Sequence, residues 1–124
     1  MAIVLREGDR ATFLDSMVEN DAIMSAGTLI ETLMVSHGRG GKIVTEDVRV
    51  LVDRLGIQIV SVEPEHVAIA QEAFMKYGKG NGHPAQLNFG DLFSYALAKE
   101  RNLPLLFKGN DFAATDITSA SATL

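Results

Sequence analysis

Four carboxylates stand out for the chemistry they could do: Glu31, Asp91, Asp111 and Asp116. The last three fall within residues 87–117, LNFGDLFSYALAKERNLPLLFKGNDFAATDI, where Asp91 opens a helical pattern and Asp111 and Asp116 follow a short apolar strand. Hard oxygen donors gathered where a strand ends and a helix begins suit a divalent cation, and a cation held there can neutralise a phosphate and activate water for phosphodiester hydrolysis. Each residue also has a plainer role open to it. Asp91, behind Gly90, suits an N-cap or a first-turn acid facing the positive end of a helix. Asp111 suits a turn after the strand, and Asp116 an exposed or structural position. Glu31 lies among Leu29, Ile30, Leu33 and Met34, where an unpaired carboxylate is costly to bury, so a metal or another cation explains it better than solvent.

The elements that must position these acids follow from a hydrophobic period that switches repeatedly between helical and extended, the pattern of an α/β fold. Phe13, Leu14, Met17 and Val18 predict a helix over 9–20, with Asp9 as its N-cap. Ala22, Ile23 and Met24 form a short apolar strand. Ser25 then caps a helix with Leu29, Ile30, Leu33 and Met34 on one stripe, ended by Gly38, Gly40 and Gly41. Thr45 starts another helix, in which Val48, Leu51, Val52 and Leu55 keep helical spacing until Gly56. A strand over 57–62 comes next, and Pro64 at a first helical position introduces a helix with Val67, Ala70, Phe74 and Tyr77 inward. The glycine-rich loop 78–87 has a length often tied to function. A last helix over 91–101 leads through Asn102 into a strand over 103–107.

At 124 residues and 47% hydrophobic content, the chain has material for one domain with its own core, placed at residues 1–118, and a polar tail at 119–124. No apolar run approaches a membrane span and no leader-like segment opens the chain, which predicts a cytoplasmic protein without a membrane partner. The absence of cysteine leaves oxygen or imidazole as the only ligands for a metal. A net charge of −5 opposes general attraction to nucleic acid but not binding through a local basic rim. Lys76, Lys79, Lys99, Arg101 and Lys108 are candidates for that rim, against the simpler role of solubilising charge. His83, in a loop with no second ligand nearby, reads as structural or exposed. Phe89, Phe93, Tyr95 and Phe107 sit in apolar patterns and read as core rather than as base-stacking platforms.

Three motifs, SAGTLIE over 25–31, NFGD over 88–91 and GNDF over 109–112, resemble in order and spacing the acidic motifs of the PIN-domain ribonucleases, and among these the VapC toxins of bacterial toxin–antitoxin pairs. The likeness covers nearly the whole chain, and the run HPAQLNFGD followed by PLLFKGNDF is far more specific than any single acid. The resemblance implies a PIN-like parallel sheet flanked by helices in three α/β/α layers, with a Mg²⁺ or Mn²⁺ site at the carboxyl ends of the strands. It implies catalytic roles for Glu31, Asp91 and Asp111, with Asp116 as an accessory acid at the metal. It also implies an RNA substrate, a cognate antitoxin protein that occupies the acidic groove, and a homodimer. Leu29 and Leu33, with Phe13 and Met17, could serve such contacts, although burial in the domain's own core explains them equally well.

One departure accompanies the likeness. Family members open with a strand ending in the first aspartate, whereas this chain begins MAIVLREG, which reads as the tail of the helix after that strand. Loss of a central strand would leave backbone groups and apolar faces on its neighbours without partners, so such a molecule should be less stable or should rearrange. A start codon assigned too far downstream is the preferred explanation, over a shortened chain or a decayed gene. Two other classes stay open. One is a catalytically impaired PIN-like module that only binds antitoxin or RNA. The other is a metal-dependent phosphatase, which ranks lower because it normally places a nucleophilic aspartate after its first strand.

Overall fold

The computed structural model describes residues 3–5, 22–106 and 112–119. The helix predicted over 9–20, together with Phe107, Lys108 and Asp111, lies outside the described residues. Strands β1 (Ile3–Leu5), β2 (Ala22–Ser25), β3 (Gln58–Val60) and β4 (Leu105–Leu106) form one sheet in the order β3-β2-β1-β4. Helix α1 (Ala26–Arg54) follows β2, helix α2 (Pro64–Tyr77) follows β3, and helix α3 (Phe89–Arg101) precedes β4.

The sheet is mixed. Strands β2 and β3 are parallel, Ile23 facing Gln58 and Ser25 facing Val60. Strand β1 is antiparallel to both its neighbours, Val4 facing Ile23 on one side and Leu105 on the other. The carboxyl ends of β2, β3 and β4 therefore share one edge, while β1 ends at Leu5, opposite Ala22, at the other edge. This corrects the reading of residues 1–8 as a helix tail: Ile3–Leu5 takes the central slot in reversed direction. The physical reason lies in the neighbours. Their N–H and C=O groups need partners, and an antiparallel ladder satisfies them as well as a parallel one.

Side chains alternate across β2 and divide the core into two layers. Ala22 and Met24 join Ile3, Val52 and Ile57 on the face covered by α1, with Leu29, Val48 and Leu55 packed alongside. Ile23 joins Tyr77, Leu87, Tyr95, Leu97 and Leu105 on the face covered by α2 and α3. Helices on both faces of the sheet make the three-layer α/β arrangement that the resemblance implies.

Helix α1 starts where the serine predicts it, the Ser25 hydroxyl accepting from the Gly27 N–H at 3.2 Å. Its two predicted halves meet at a kink, where Gly41 takes φ 68° and ψ −154°, a conformation essentially closed to residues with a Cβ. The stripe of its first half differs from prediction. Leu29 faces the core, but Ile30 and Met34 are exposed. In α2 the inward stripe is His66, Ala73 and Tyr77, with Ile69 beside them, whereas Val67 and Phe74 point outward. The shift arises because the imidazole is buried with both nitrogens bonded: Nδ1 accepts from the Glu63 N–H at 3.0 Å and Nε2 meets Glu100 at 2.9 Å. The loop after α2 is pinned by Lys79 N–H to Leu87 C=O at 2.8 Å and Leu87 N–H to Tyr77 C=O at 2.7 Å. His83 is structural there, as expected, accepting from the Ala85 N–H and packing edge-on against Tyr77. No helix among the described residues is long and apolar enough to cross a membrane.

Because fully buried Ile3 anchors a three-residue strand at the centre of the sheet, Ile3→Ala should cost about 2–5 kcal/mol of stability. Urea unfolding of the two proteins measures the difference. A loss below about 0.5 kcal/mol, the level of an ordinary surface substitution, would show that β1 does not hold the sheet together.

Candidate metal centre

The site forms where the first turns of α1 and α3 cross. At Gly27 an added Cβ would lie 2.2 Å from the ring of Phe93, and at Gly90 it would lie 1.4 Å from Glu31 Oε2. A side chain at either position would therefore displace its neighbour, the Phe93 ring at Gly27 and the Glu31 carboxylate at Gly90. Between them the Thr28 and Ser94 hydroxyls share a buried hydrogen bond of 2.8 Å. Glu31 sits one turn further along α1 and lays its carboxylate over Gly90, beside Asp91.

Asp91 fills the structural role open to it as well as lying at the site. Its carboxylate accepts from the Asn88 N–H at 3.0 Å, and its own N–H donates to Asn88 Oδ1 at 2.9 Å, a reciprocal capping box at the start of α3. The positive end of the helix favours negative charge here. Even so, the pKa of Glu31 is raised, first by burial and then by the charge of Asp91. Burial and the nearby charge of Asp91 thus both disfavour the ionised form of Glu31.

The other acids are arranged differently. Asp116 is held through both oxygens, by the Tyr95 hydroxyl at 2.6 Å and by the Lys99 ammonium. Burial works to raise its pKa, but the hydrogen bonds from Lys99 and Tyr95 and the charge of Lys99 outweigh this and leave it lowered. Burial and the bond to Asp116 together push the Tyr95 phenol up. Glu31 and Asp91 are therefore brought together, and Asp116 is tied to the later turns of α3. Among the described residues no group of three or more His, Asp or Glu side chains could hold a metal ion. Glu31 and Asp91 fit a divalent cation as part of a larger oxygen set, since Gly90 leaves room for a carboxylate that any side chain would displace.

The basic rim expected from sequence is mostly engaged internally. Lys99 is paired with Asp116, Arg101 with Glu100, and Lys76 lies 5.1 Å from the centre of the Tyr77 ring. The largest difference concerns Phe89. It is 77% exposed, edge-on to Phe93 with ring centres 5.1 Å apart, rather than in the core. From sequence Tyr95 reads as core and Lys99 as a rim cation, and neither is joined to Asp116, although four-residue spacing puts both on one stripe of α3.

The family model described as "PIN domain" matches residues 1–117. Ribonuclease VapC42 of Mycobacterium tuberculosis is 42% identical over 97 residues, covering 78% of this chain and 74% of that protein. Ribonuclease VapC28 of the same species is 35% identical over 121 residues, 97% of this chain and 91% of its own. Ribonuclease VapC of Mycolicibacterium smegmatis is 38% identical over 121 residues, 96% and 92% of the two chains.

The raised pKa of Glu31 has a definite sign in stability. The folded state holds its proton more tightly than the unfolded chain, so the deficit is absent below the ordinary carboxylate range and is complete above the raised pKa. Glu31→Gln should therefore gain stability relative to the parent as pH rises from about 4 to 7. Denaturation midpoints of both proteins across that range test it. A difference independent of pH would mean that neither burial nor the Asp91 charge perturbs Glu31.

Proposed function

Since the chain belongs to the PIN-domain family, with VapC ribonucleases among its relatives, we propose that it is a metal-dependent endoribonuclease, the toxin of a toxin–antitoxin pair. The observation that carries the reading is the convergence of Glu31 and Asp91 at Gly90 in a chain that matches this family almost end to end. Glu31, Asp91 and Asp111 supply oxygen ligands to Mg²⁺ or Mn²⁺. When bound, the divalent cation supplies charge neutralisation for the scissile phosphate and Lewis acidity toward the attacking water. The protein's own part is to fix the donors. The capping box holds Asp91 on the first turn of α3, and Gly90 lets Glu31 reach across from α1. One of the carboxylates accepts the proton of the attacking water as the phosphorus–oxygen bond to the leaving ribose breaks.

Asp116 acts differently in this reading. With Tyr95 and Lys99 on its two oxygens, it positions the segment after β4 against α3 instead of binding metal. Further support comes from the ties of that segment, the Leu105 N–H donating to Thr118 C=O at 2.8 Å and the Thr115 hydroxyl to Phe112 C=O at 2.7 Å. A cognate antitoxin is the partner that restrains the activity, and a homodimer is the working assembly.

Cleavage of single-stranded RNA should require Mg²⁺ or Mn²⁺ and stop with EDTA. Glu31→Gln, Asp91→Asn and Asp111→Asn should each lower kcat/KM by about 100-fold or more, the scale of losing an electrostatic contact to the transition state. Metal-independent cleavage, or full activity in these variants, would overturn the nuclease reading.

Asp116→Asn and Lys99→Met should each cost about tenfold or less, with no further loss in the double variant because both break one tie. The exchange Lys99→Asp with Asp116→Lys should recover part of the activity. A loss of about 100-fold confined to Asp116→Asn would instead identify Asp116 as a metal ligand.

A further inference from the structure

We propose that Phe89 and the apolar cleft beside it form a stacking site for one nucleobase of the RNA, next to the phosphate that is cut. The inference rests on the nuclease reading and adds to it the part of the substrate that is gripped. The cleft has a volume of ≈ 230 Å³ and walls that include Val62, Val67, Ala70, Leu92 and Phe93, with Phe89 at its mouth. It adjoins the acidic pair through the chain itself. Phe89 opens the helical turn that carries Gly90 and Asp91, Phe93 packs on Gly27, and Ser25 at the cleft is the N-cap of the helix that carries Glu31.

Three features favour a nucleobase as occupant. First, the volume lies below the roughly 300–1,000 Å³ of pockets for drug-sized ligands, which suits one planar ring system. Second, the polar groups at the wall are committed: Ser25 Oγ accepts from Gly27, and both nitrogens of His66 are bonded. Such a wall offers a π-face and apolar surface but little to read a base edge, so it fits stacking with weak sequence preference. Third, the charge balance leaves a need for such a contact. The chain carries −5, and Lys99 and Arg101 are paired with acids, so phosphate attraction alone gives poor retention near two carboxylates. Stacking supplies affinity that salt does not screen.

The test uses a fluorescein-labelled single-stranded RNA whose cleavage site has been mapped, and versions made abasic on either side of that site. Phe89→Ala should raise KM by about tenfold or more with kcat little changed, in the range measured for removing a base-stacking aromatic. Phe89→Trp should keep the parental KM. One abasic RNA should abolish the difference between the parent and Phe89→Ala. Because Phe89 is exposed, its unfolding midpoint should be unchanged. Normal KM for Phe89→Ala on intact RNA overturns this inference while leaving the nuclease reading in place. Unchanged RNA kinetics with weakened antitoxin binding would assign the cleft to a protein partner and also overturn it. Absence of any RNA cleavage by the parent protein removes the nuclease reading and this inference with it.

Discussion

The close crossing of α1 and α3 is the constraint on which the site depends. Gly27 and Gly90 lie at this crossing, and a methyl group on either would meet Phe93 or Glu31. A buried hydroxyl pair, Thr28 and Ser94, fixes the register of one helix along the other. The crossing costs something electrostatically, since it presses Glu31 toward Asp91 and removes part of its water. A fold selected only for stability would separate these groups or neutralise one of them. Asp91 lies in the first turn of α3, where negative charge is favoured, and Glu31 reaches it from the second turn of α1.

The sheet beneath the crossing adapts more readily than the crossing itself. Strand β1 lies between β2 and β4 in the direction opposite to both, yet β2 and β4 still send their carboxyl ends toward the same edge as β3. What the layers require from the central slot is apolar bulk, which Ile3 supplies, and a ladder on each side.

Much of the fold was legible in the residues, and of the four candidate acids the structure brings Glu31 and Asp91 together. Ser25, Gly56 and Pro64 marked helix ends that the structure keeps, because caps and turns depend on local chemistry. The inward stripe of α2 was misread because its first member is a histidine, and hydrophobic periodicity cannot register a polar ring buried with both nitrogens satisfied. Phe89 was misread for the converse reason. An aromatic residue in an apolar pattern suggests core, and only the structure shows Phe93 packed against Gly27 while Phe89 stays exposed beside it. The first-turn role that the sequence leaves open for Asp91 is the one its bonds show, and Glu31 lies close to it. The partners of Asp116 were out of reach for a similar reason, since Lys99 looks from sequence like a free surface cation.

His66 has a wider consequence for how this molecule can respond to what binds it. Because Nδ1 accepts a backbone N–H, the ring proton belongs on Nε2, so His66 links the first turn of α2 to Glu100 at the end of α3, whose carboxylate also accepts from Arg101. The two helices are thereby clasped across their opposite ends, behind the cleft at Phe89. A ligand entering there meets a back wall that has already given up its conformational freedom. The ordering entropy that a looser pocket would lose on binding has been spent during folding, so a small contact surface can still hold a guest.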